Sequence, residues 1–357
     1  VMIGEGKATY QGETLDGAEA LKRAGLKPVV LSSKEGLILL SGTTSVTAFA
    51  SLAIYDAQTL SLTADIAGSF TLEVLKGTLM AMDERLMAVR PHPDQINTAA
   101  NIRAILKDSP MLERYRGHRV QDALSIRCMP QLHGPVKKAI KDAQATLAIE
   151  LNSSVDNPLI FDEEDGGAVA LMGCNADGTY AGMASDNLCI AITDLCKMSN
   201  SRIDRLLNSL VSELPAFLNK NADFNNGLMM IQYASAGLQG ELRILAHPAV
   251  VDNLTTCANQ EDYVNMGYNA AKKAYDSMHL AKYILAAELI CDGQALDCYE
   301  DKRCAKGTQA IYDLLRSKVP EMDNDMPLTP YLEAVAQQII DRAYIRTVEA
   351  SVGALKF

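Results

Sequence analysis

Apolar positions along this chain recur at spacings of three and four over stretches far longer than a strand, which is the signature of helices with one or more buried faces. Residues 40–70, LSGTTSVTAFASLAIYDAQTLSLTADIAGSF, are small and apolar all round, and they predict a buried helix that its neighbours approach closely. Beyond Pro135, residues 136–152 (VKKAIKDAQATLAIELN) continue the helical pattern. From about residue 181 a long helix is expected, with Leu188, Ile192, Leu195 and Arg202 on one stripe. Residues 227–247 carry Leu228, Ile231, Leu238, Leu242 and Leu245 at helical spacing, and Pro248 ends the run. A third long helix spans roughly 263–291 and is unusually apolar for its length. Several such helices in succession predict a mainly α protein with a central bundle whose middle members are buried on most faces.

The ends differ from this pattern. Residues 1–33 contain GEGKATYQGE, whose glycines and Thr-Tyr pair predict a hairpin or loop module. Ser32-Ser33-Lys34-Glu35 has the form of a capping box ahead of an apolar run. RPHPDQ, residues 90–95, interrupts the pattern before a shorter helix. SVDNPLI and the acidic run 162–165 form a loop. Residues 301–357 are more charged, which suits shorter, outer helices. The expected division is therefore 1–33, 34–300 and 301–357.

Composition narrows the function. With 48% hydrophobic and 22% charged residues the chain is of globular type, and polar residues interrupt every candidate membrane span. A net charge of −11 argues against a nucleic-acid or anionic-membrane partner. The 8 cysteines are scattered, several within apolar helical patterns (Cys189, Cys196, Cys291), which suits reduced thiols in a cytoplasm. The 5 histidines show no zinc-ligand spacing, so no metal is expected.

The densest chemistry lies in VQDALSIRCMPQLHGP, residues 120–135, where Gln121, Asp122, Arg127, Gln131 and His133 gather ahead of Pro135. Arg127 offers a planar fork that matches a carboxylate and stays charged at any working pH. It has two readings, a ligand clamp or a structural ion pair with Asp122. His133 reads as a packed, hydrogen-bonded residue rather than a base. Asn152 is either a site residue or part of a turn with Asp156-Asn157-Pro158. Glu261 beside Asp262 is either a site carboxylate or a helix N-terminal acidic pair. Met229 and Met230 read most simply as core filler.

These motifs stand in one order: IGEGKATYQG (3–12), KEGLILLSGTTS (34–45), RPHPDQ (90–95), VQDALSIRCMPQLHGP (120–135), NSSVDNPLI (152–160), FNNGLMMIQ (224–232) and ANQEDYVNMG (258–267). Together they resemble the histidine/phenylalanine ammonia-lyase family, aminomutases included, over nearly the whole chain. Gln260-Glu261-Asp262 is similar to the histidine-type branch. The resemblance implies a long helix bundle of the ammonia-lyase type, a homotetramer, and active sites built from several subunits. It implies loss of ammonia from an α-amino acid, driven by a methylidene-imidazolone prosthetic group made from Ala-Ser-Gly. Arg127 would clamp the carboxylate. Gln121 and Glu261 would act at the reacting centre, with Asn152, Met229, Gln260, Leu124, Ala176 and Asp177 lining the substrate pocket and Ser41 and Gly42 supporting the prosthetic group.

The chain departs from the family pattern at four points. Ala-Ser-Gly does not occur in it, so the prosthetic group is expected from an N-terminal segment of the same protein or from a separate chain. Ser41-Gly42-Thr43 stands where the family has Asn-Gly-Thr, Leu124 where it has tyrosine, and Cys174-Asn175-Ala176-Asp177 where it has Gly-Asn-Phe-His. Two aromatic groups leave the expected pocket and a carboxylate enters, which favours a bulkier or more basic side chain than that of phenylalanine. A 2,3-aminomutase and an inactive scaffold homologue are the alternatives. Leu40-Ser41-Gly42 is expected to be a buried helix start rather than a cyclising tripeptide.

Overall fold

The longest apolar stretch forms a helix as long as any in the chain. In this computed structural model, which describes residues 1–221 and 224–357, α1 runs Thr44–Val74 and every residue from 59 to 74 is buried. Small residues make that burial possible: a Cβ on Gly68 would overlap the Met129 sulfur and sit 3.4 Å from the guanidinium carbon of Arg202. Two of the buried hydroxyls turn back on their own helix, Thr63 Oγ1 donating to Thr59 O at 2.8 Å and Ser69 Oγ to Asp65 O at 2.6 Å.

The longer helices that follow are α2 Pro93–Ile105, α3 Met129–Glu150, α4 Thr179–Leu207, α5 Met229–Leu245 and α6 Gly267–Asp297, with shorter turns between them. α6 packs most extensively along α4, α3 lies against α2 and α4, and α5 lies against α4 and α6. Leu188, Ile192, Leu195 and Arg202 are all fully buried, and α6 is buried continuously from 284 to 297. The tail adds α7 Lys306–Arg316, α8 Thr329–Ile340 and α9 Ala343–Val352; α8 packs on α6, and α7 on α9. No helix of the described residues is long and apolar enough to cross a membrane.

The chain divides into two units, residues 1–44 with 154–177, and residues 45–153 with 178–357. These are not the boundaries at 33 and 300 that the sequence suggests. The first unit holds the hairpin of β1 Lys7–Tyr10 and β2 Glu13–Asp16, and a second antiparallel pair, β3 Leu159–Asp162 with β4 Ala168–Leu171. Its two halves are tied by Lys34, whose Nζ donates to Pro158 O at 2.7 Å and pairs with Asp156. The capping box is half realised, with the Ser32 N–H donating to Glu35 Oε2 at 2.6 Å. The tail joins the bundle because α8 rests on α6.

Three helix starts also differ from expectation, each for a local reason. α1 begins at Thr44 rather than 40, because Gly42 at φ +82° breaks the helix. Leu40 is 89% exposed, so 40–42 is not a buried helix start. α3 begins at Met129, with Pro130 in its first turn and Pro135 inside it, so the 120–135 segment already enters the helix. α6 begins at Gly267 because Met266 is left-handed, φ +49°, and Asn265 Oδ1 accepts the Gly267 N–H at 2.8 Å.

Gly42 yields a direct test. A Cβ there would overlap the Val155 carbonyl oxygen, on a backbone already in the left-handed region. Gly42→Ala is expected to destabilise the first unit by about 2 kcal/mol, read as faster amide exchange at residues 154–162.

Candidate functional site

In the second unit the 115–127 segment is set by one inward carboxylate. Asp122 is buried, its Oδ2 accepts the Thr78 N–H at 2.8 Å, and burial pushes its carboxyl above the usual range. With Asp122 turned inward, Gln121 is exposed and a short helix, Leu124–Arg127, follows. Arg202 on α4 steadies that turn by donating from Nη1 to Ser125 O at 3.3 Å.

Arg127 ends the short helix half-buried. Its Nε is sealed from solvent and has no hydrogen-bond partner, and no described carboxylate lies within ion-pair distance. The Arg127–Asp122 pair therefore does not form: Asp122 is engaged by Thr78, and its other oxygen is itself unpartnered. A partly buried guanidinium without a counter-ion is costly unless something else supplies the anion. Leu124, one turn earlier, is 61% exposed.

His133 is fully buried, with Nδ1 2.8 Å from Asp65 Oδ1. Lys137 donates to Asp65 Oδ2 at 2.6 Å and to Thr98 Oγ1 at 2.9 Å. Burial pushes His133 down; Lys137 and His133 together outweigh burial at Asp65 and hold its carboxyl below the usual range. This cluster is internal to the bundle, which agrees with reading His133 as a packed residue.

Asn152 is exposed just past the end of α3, its Nδ2 donating to Ala148 O at 2.7 Å. Met229 is half-buried at the first position of α5, and Met230 is 58% exposed, so the pair is not core filler. Asp325 shapes the turn before Met229 by accepting from the Asn226 and Gly227 N–H groups, each at 2.8 Å.

Gln260 and Glu261 are exposed and lie in a tight turn, not at a helix N-terminus. Cys257, Ala258 and Asn259 ahead of them have φ of 49°, 51° and 70°. The Thr256 and Cys257 side chains hold the Glu261 carboxyl below its ordinary range by hydrogen bonding. In the sequence, nothing about Thr256 or Cys257 marks them, because a left-handed run without glycine has no residue signature.

In the first unit, Ser41 lies in a bend whose N–H donates to Leu37 O at 2.8 Å, followed by left-handed Gly42. Ala176 and Asp177 are half-buried, and the Asp177 N–H donates to Cys174 O at 3.1 Å. The structure thus gathers Gln121, Leu124 and Arg127 on one segment and Gln260 and Glu261 on another, with no hydrogen bond or ion pair linking the two among the described residues. A cleft of about 440 Å³ between α3 and α4 is lined by Gln131, Leu132, Val136 and Ile190, and one of about 760 Å³ by Lys76, Thr78, Tyr115 and Arg119. The first contains Gln131 of the 120–135 segment, and neither contains a residue expected to contact the substrate. Among the described residues no His/Cys/Asp/Glu group could hold a metal ion.

Comparison with known proteins bears on the family of the chain. Residues 1–317 match the family model described as aromatic amino acid lyase. The histidine ammonia-lyase of Alkaliphilus oremlandii is 42% identical over 352 residues, which is 99% of this chain and 69% of that protein. The crystal structure of histidine ammonia-lyase from Trypanosoma cruzi superposes with a TM-score of 0.88 at 33% identity, covering 98% of this chain and 67% of that one. Tyrosine aminomutase from Streptomyces globisporus gives a TM-score of 0.91 at 29% identity, covering 99% and 71%.

Proposed function

Because the chain belongs to the aromatic amino acid lyase family, on its histidine-type branch, and is a carbon–nitrogen lyase, we propose that it eliminates ammonia from an α-amino acid, histidine foremost. The observation that carries this reading is the half-buried guanidinium of Arg127, whose sealed Nε has no hydrogen-bond partner and which forms no ion pair among the described residues. A substrate carboxylate is the anion that completes it, through two parallel charge-assisted hydrogen bonds.

The methylidene-imidazolone of the family fits this arrangement, since an amine-directed electrophile requires the carboxylate to be held elsewhere. Ala-Ser-Gly is absent from these 357 residues, so we propose that the group comes from an N-terminal segment of the same protein or from a separate chain. When bound, the group supplies the electrophile that turns the substrate amine into a leaving group. This chain's residues bind and orient the substrate, and the base that takes the β-proton is proposed to come with the segment that carries Ala-Ser-Gly. Arg127 pins the carboxylate and thereby fixes which β-hydrogen is presented. Glu261, held low by its hydrogen bonds, is an anion at neutral pH and suits a substrate ammonium or a basic ring better than proton carriage. Gln121, Asn152 and Gln260 offer amides that donate and accept, and Met229 offers an apolar wall. Family likeness alone supports the roles of Leu124, Ala176, Asp177, Ser41 and Gly42; the added carboxylate of Asp177 agrees with a basic side chain such as histidine's.

The test is an assay of the chain assembled with a segment that carries Ala-Ser-Gly. Histidine should yield ammonia and ultraviolet-absorbing urocanate in equal amounts. The likeness to tyrosine aminomutase supports one second reading, 2,3-amino migration, in which a β-amino acid appears without ammonia. No product from histidine, phenylalanine or tyrosine would leave the inactive scaffold homologue.

Exposed apolar side chains support self-association, as a tetramer by family likeness. Met230, Tyr233 and Ile244 project along α5, and Met183 and Ile190 along α4, all at least 46% exposed. Apolar rows of this kind mark interfaces. Sedimentation at micromolar concentration should show an oligomer; a stable monomer would contradict this.

A further inference from the structure

The turn 256–261 is built at a conformational cost. Three successive residues with side chains hold left-handed φ, at 49°, 51° and 70°, a geometry that persists only where the surroundings enforce it. Its result is that Thr256 and Glu261 face one another. The Thr256 N–H donates to Glu261 O at 2.8 Å and the Glu261 N–H returns to Thr256 O at 3.4 Å. Thr256 Oγ1 donates to Glu261 Oε2 at 2.7 Å, and the Glu261 carboxylate pushes the neighbouring Cys257 thiol up. Asn253 braces the return strand, with Nδ2 donating to Asp262 O at 3.0 Å and Oδ1 accepting the Val264 N–H at 2.8 Å. An exposed glutamate ordinarily samples several rotamers. Here both its main chain and its carboxylate are tied within five residues.

We propose that Thr256 is a positioning residue, fixing the direction in which Glu261 presents its carboxylate to the substrate's amine or basic ring, with the Cys257 thiol beside it as a reporter of that placement. The proposal rests on the reading of Glu261 as a substrate contact. A β-branched threonine suits the task, because its χ1 is stiff and its hydroxyl is delivered from an extended backbone at φ −128°. The electrostatics agree. Thr256 and then Cys257 lower the Glu261 carboxyl, no ionised side chain contributes to that shift, and Glu261 in return pushes the Cys257 thiol up. That reciprocity gives a readout that needs no turnover.

The first measurement uses the full chain and follows alkylation of Cys257 by iodoacetamide against pH, with the modified peptide quantified by mass spectrometry. Glu261→Gln should shift the midpoint down toward an ordinary thiol and speed the reaction several-fold at pH 8. An unchanged profile overturns the contact and the proposal with it. The second measurement uses the assembled holoenzyme. Thr256→Val should lower kcat/KM about tenfold and move the acid limb of its pH profile upward, because the Glu261 carboxyl rises once its main donor is gone. Thr256→Ser, which keeps the hydroxyl, should restore most of both, and Cys257→Ala should show a smaller loss than Thr256→Val. Parental kinetics in Thr256→Val, with Glu261→Gln impaired, would overturn the positioning role alone. Full activity in Glu261→Gln would instead remove Glu261 from the reaction, and the proposal would fall with that reading even if the alkylation profile shifts.

Discussion

Arg127→Lys should cut kcat/KM of the assembled enzyme while leaving the melting temperature of the chain unchanged. A lysine keeps the charge but cannot reproduce two parallel hydrogen bonds to a carboxylate, a loss of about 2–4 kcal/mol of transition-state binding, or roughly thirty- to a thousand-fold in rate. The expected stability result follows from what Arg127 does not touch. Asp122 is held by Thr78, the Arg127 Nε has no partner, and no ion pair is lost on substitution. An arginine with a structural role would show the reverse pattern, a lower melting temperature with modest kinetic change. Arg127→Met separates charge from shape: it should bind substrate still more weakly and, by removing an uncompensated half-buried charge, melt no lower than the parent. If Arg127→Lys binds the substrate as the parent does, the clamp is elsewhere.

The residues that made the fold legible are those whose pattern is local. The small apolar run of α1 and the stripe Leu188, Ile192, Leu195 need only helical spacing to be recognised; the stripe is buried, and so is α1 from residue 59 onward, while Leu52 and Tyr55 before it are exposed. Helical spacing puts Arg202 on the same stripe, but its meaning is not readable there, because its partner Glu288 lies 86 positions away on α6. The same holds for Asp122, whose hydrogen bond reaches back to Thr78. Sequence proximity suggested Arg127 as its partner, and tertiary structure overrode it. Pro135 illustrates a different failure. Read as the end of a helix-entry loop, it sits inside α3, where loss of one backbone donor is tolerated near the start of a helix held by neighbours. The candidate site was legible as residue identities, through ordered family motifs, but not as geometry. Gln121, Leu124, Asn152, Gln260 and Glu261 are all exposed in the single chain, and the strained turn that aims Glu261 contains no glycine to announce it.

Glu288→Gln should be among the most damaging single changes in the bundle, and Asp292→Asn one of the least, although the two carboxyls are one helical turn apart and equally buried. Arg202 and Glu288 are both 0% exposed and form a two-point pair, with Nη2 donating to Oε2 at 2.9 Å and Nε to Oε1. Ser199 and Thr71 also donate to Glu288. Removing its charge strands a buried guanidinium, at about 3–5 kcal/mol. Asp292 has a different character. One of its oxygens has no partner at all, and the other lies 2.7 Å from Thr71 Oγ1, whose single hydrogen already serves Glu288. The arrangement closes if Asp292 is protonated and donates to Thr71, which in turn donates to Glu288. Burial, followed by the neighbouring Glu288 charge, pushes the Asp292 carboxyl well above its usual range, in the same sense. A raised folded value means that stability is fully present below the ordinary carboxylate pKa and falls as pH climbs toward the folded one. Asparagine presents the same donor without a proton to lose. Asp292→Asn should therefore raise the melting temperature at pH 7, with the gain vanishing near pH 4. In Glu288→Gln the neighbouring charge is gone, so Asp292 can ionise and partly replace it, and the double variant should be less stable than the two single effects add up to. Equal damage from Asp292→Asn and Glu288→Gln at pH 7 would mean that both carboxyls are ionised around Arg202, and the protonated relay through Thr71 would be wrong.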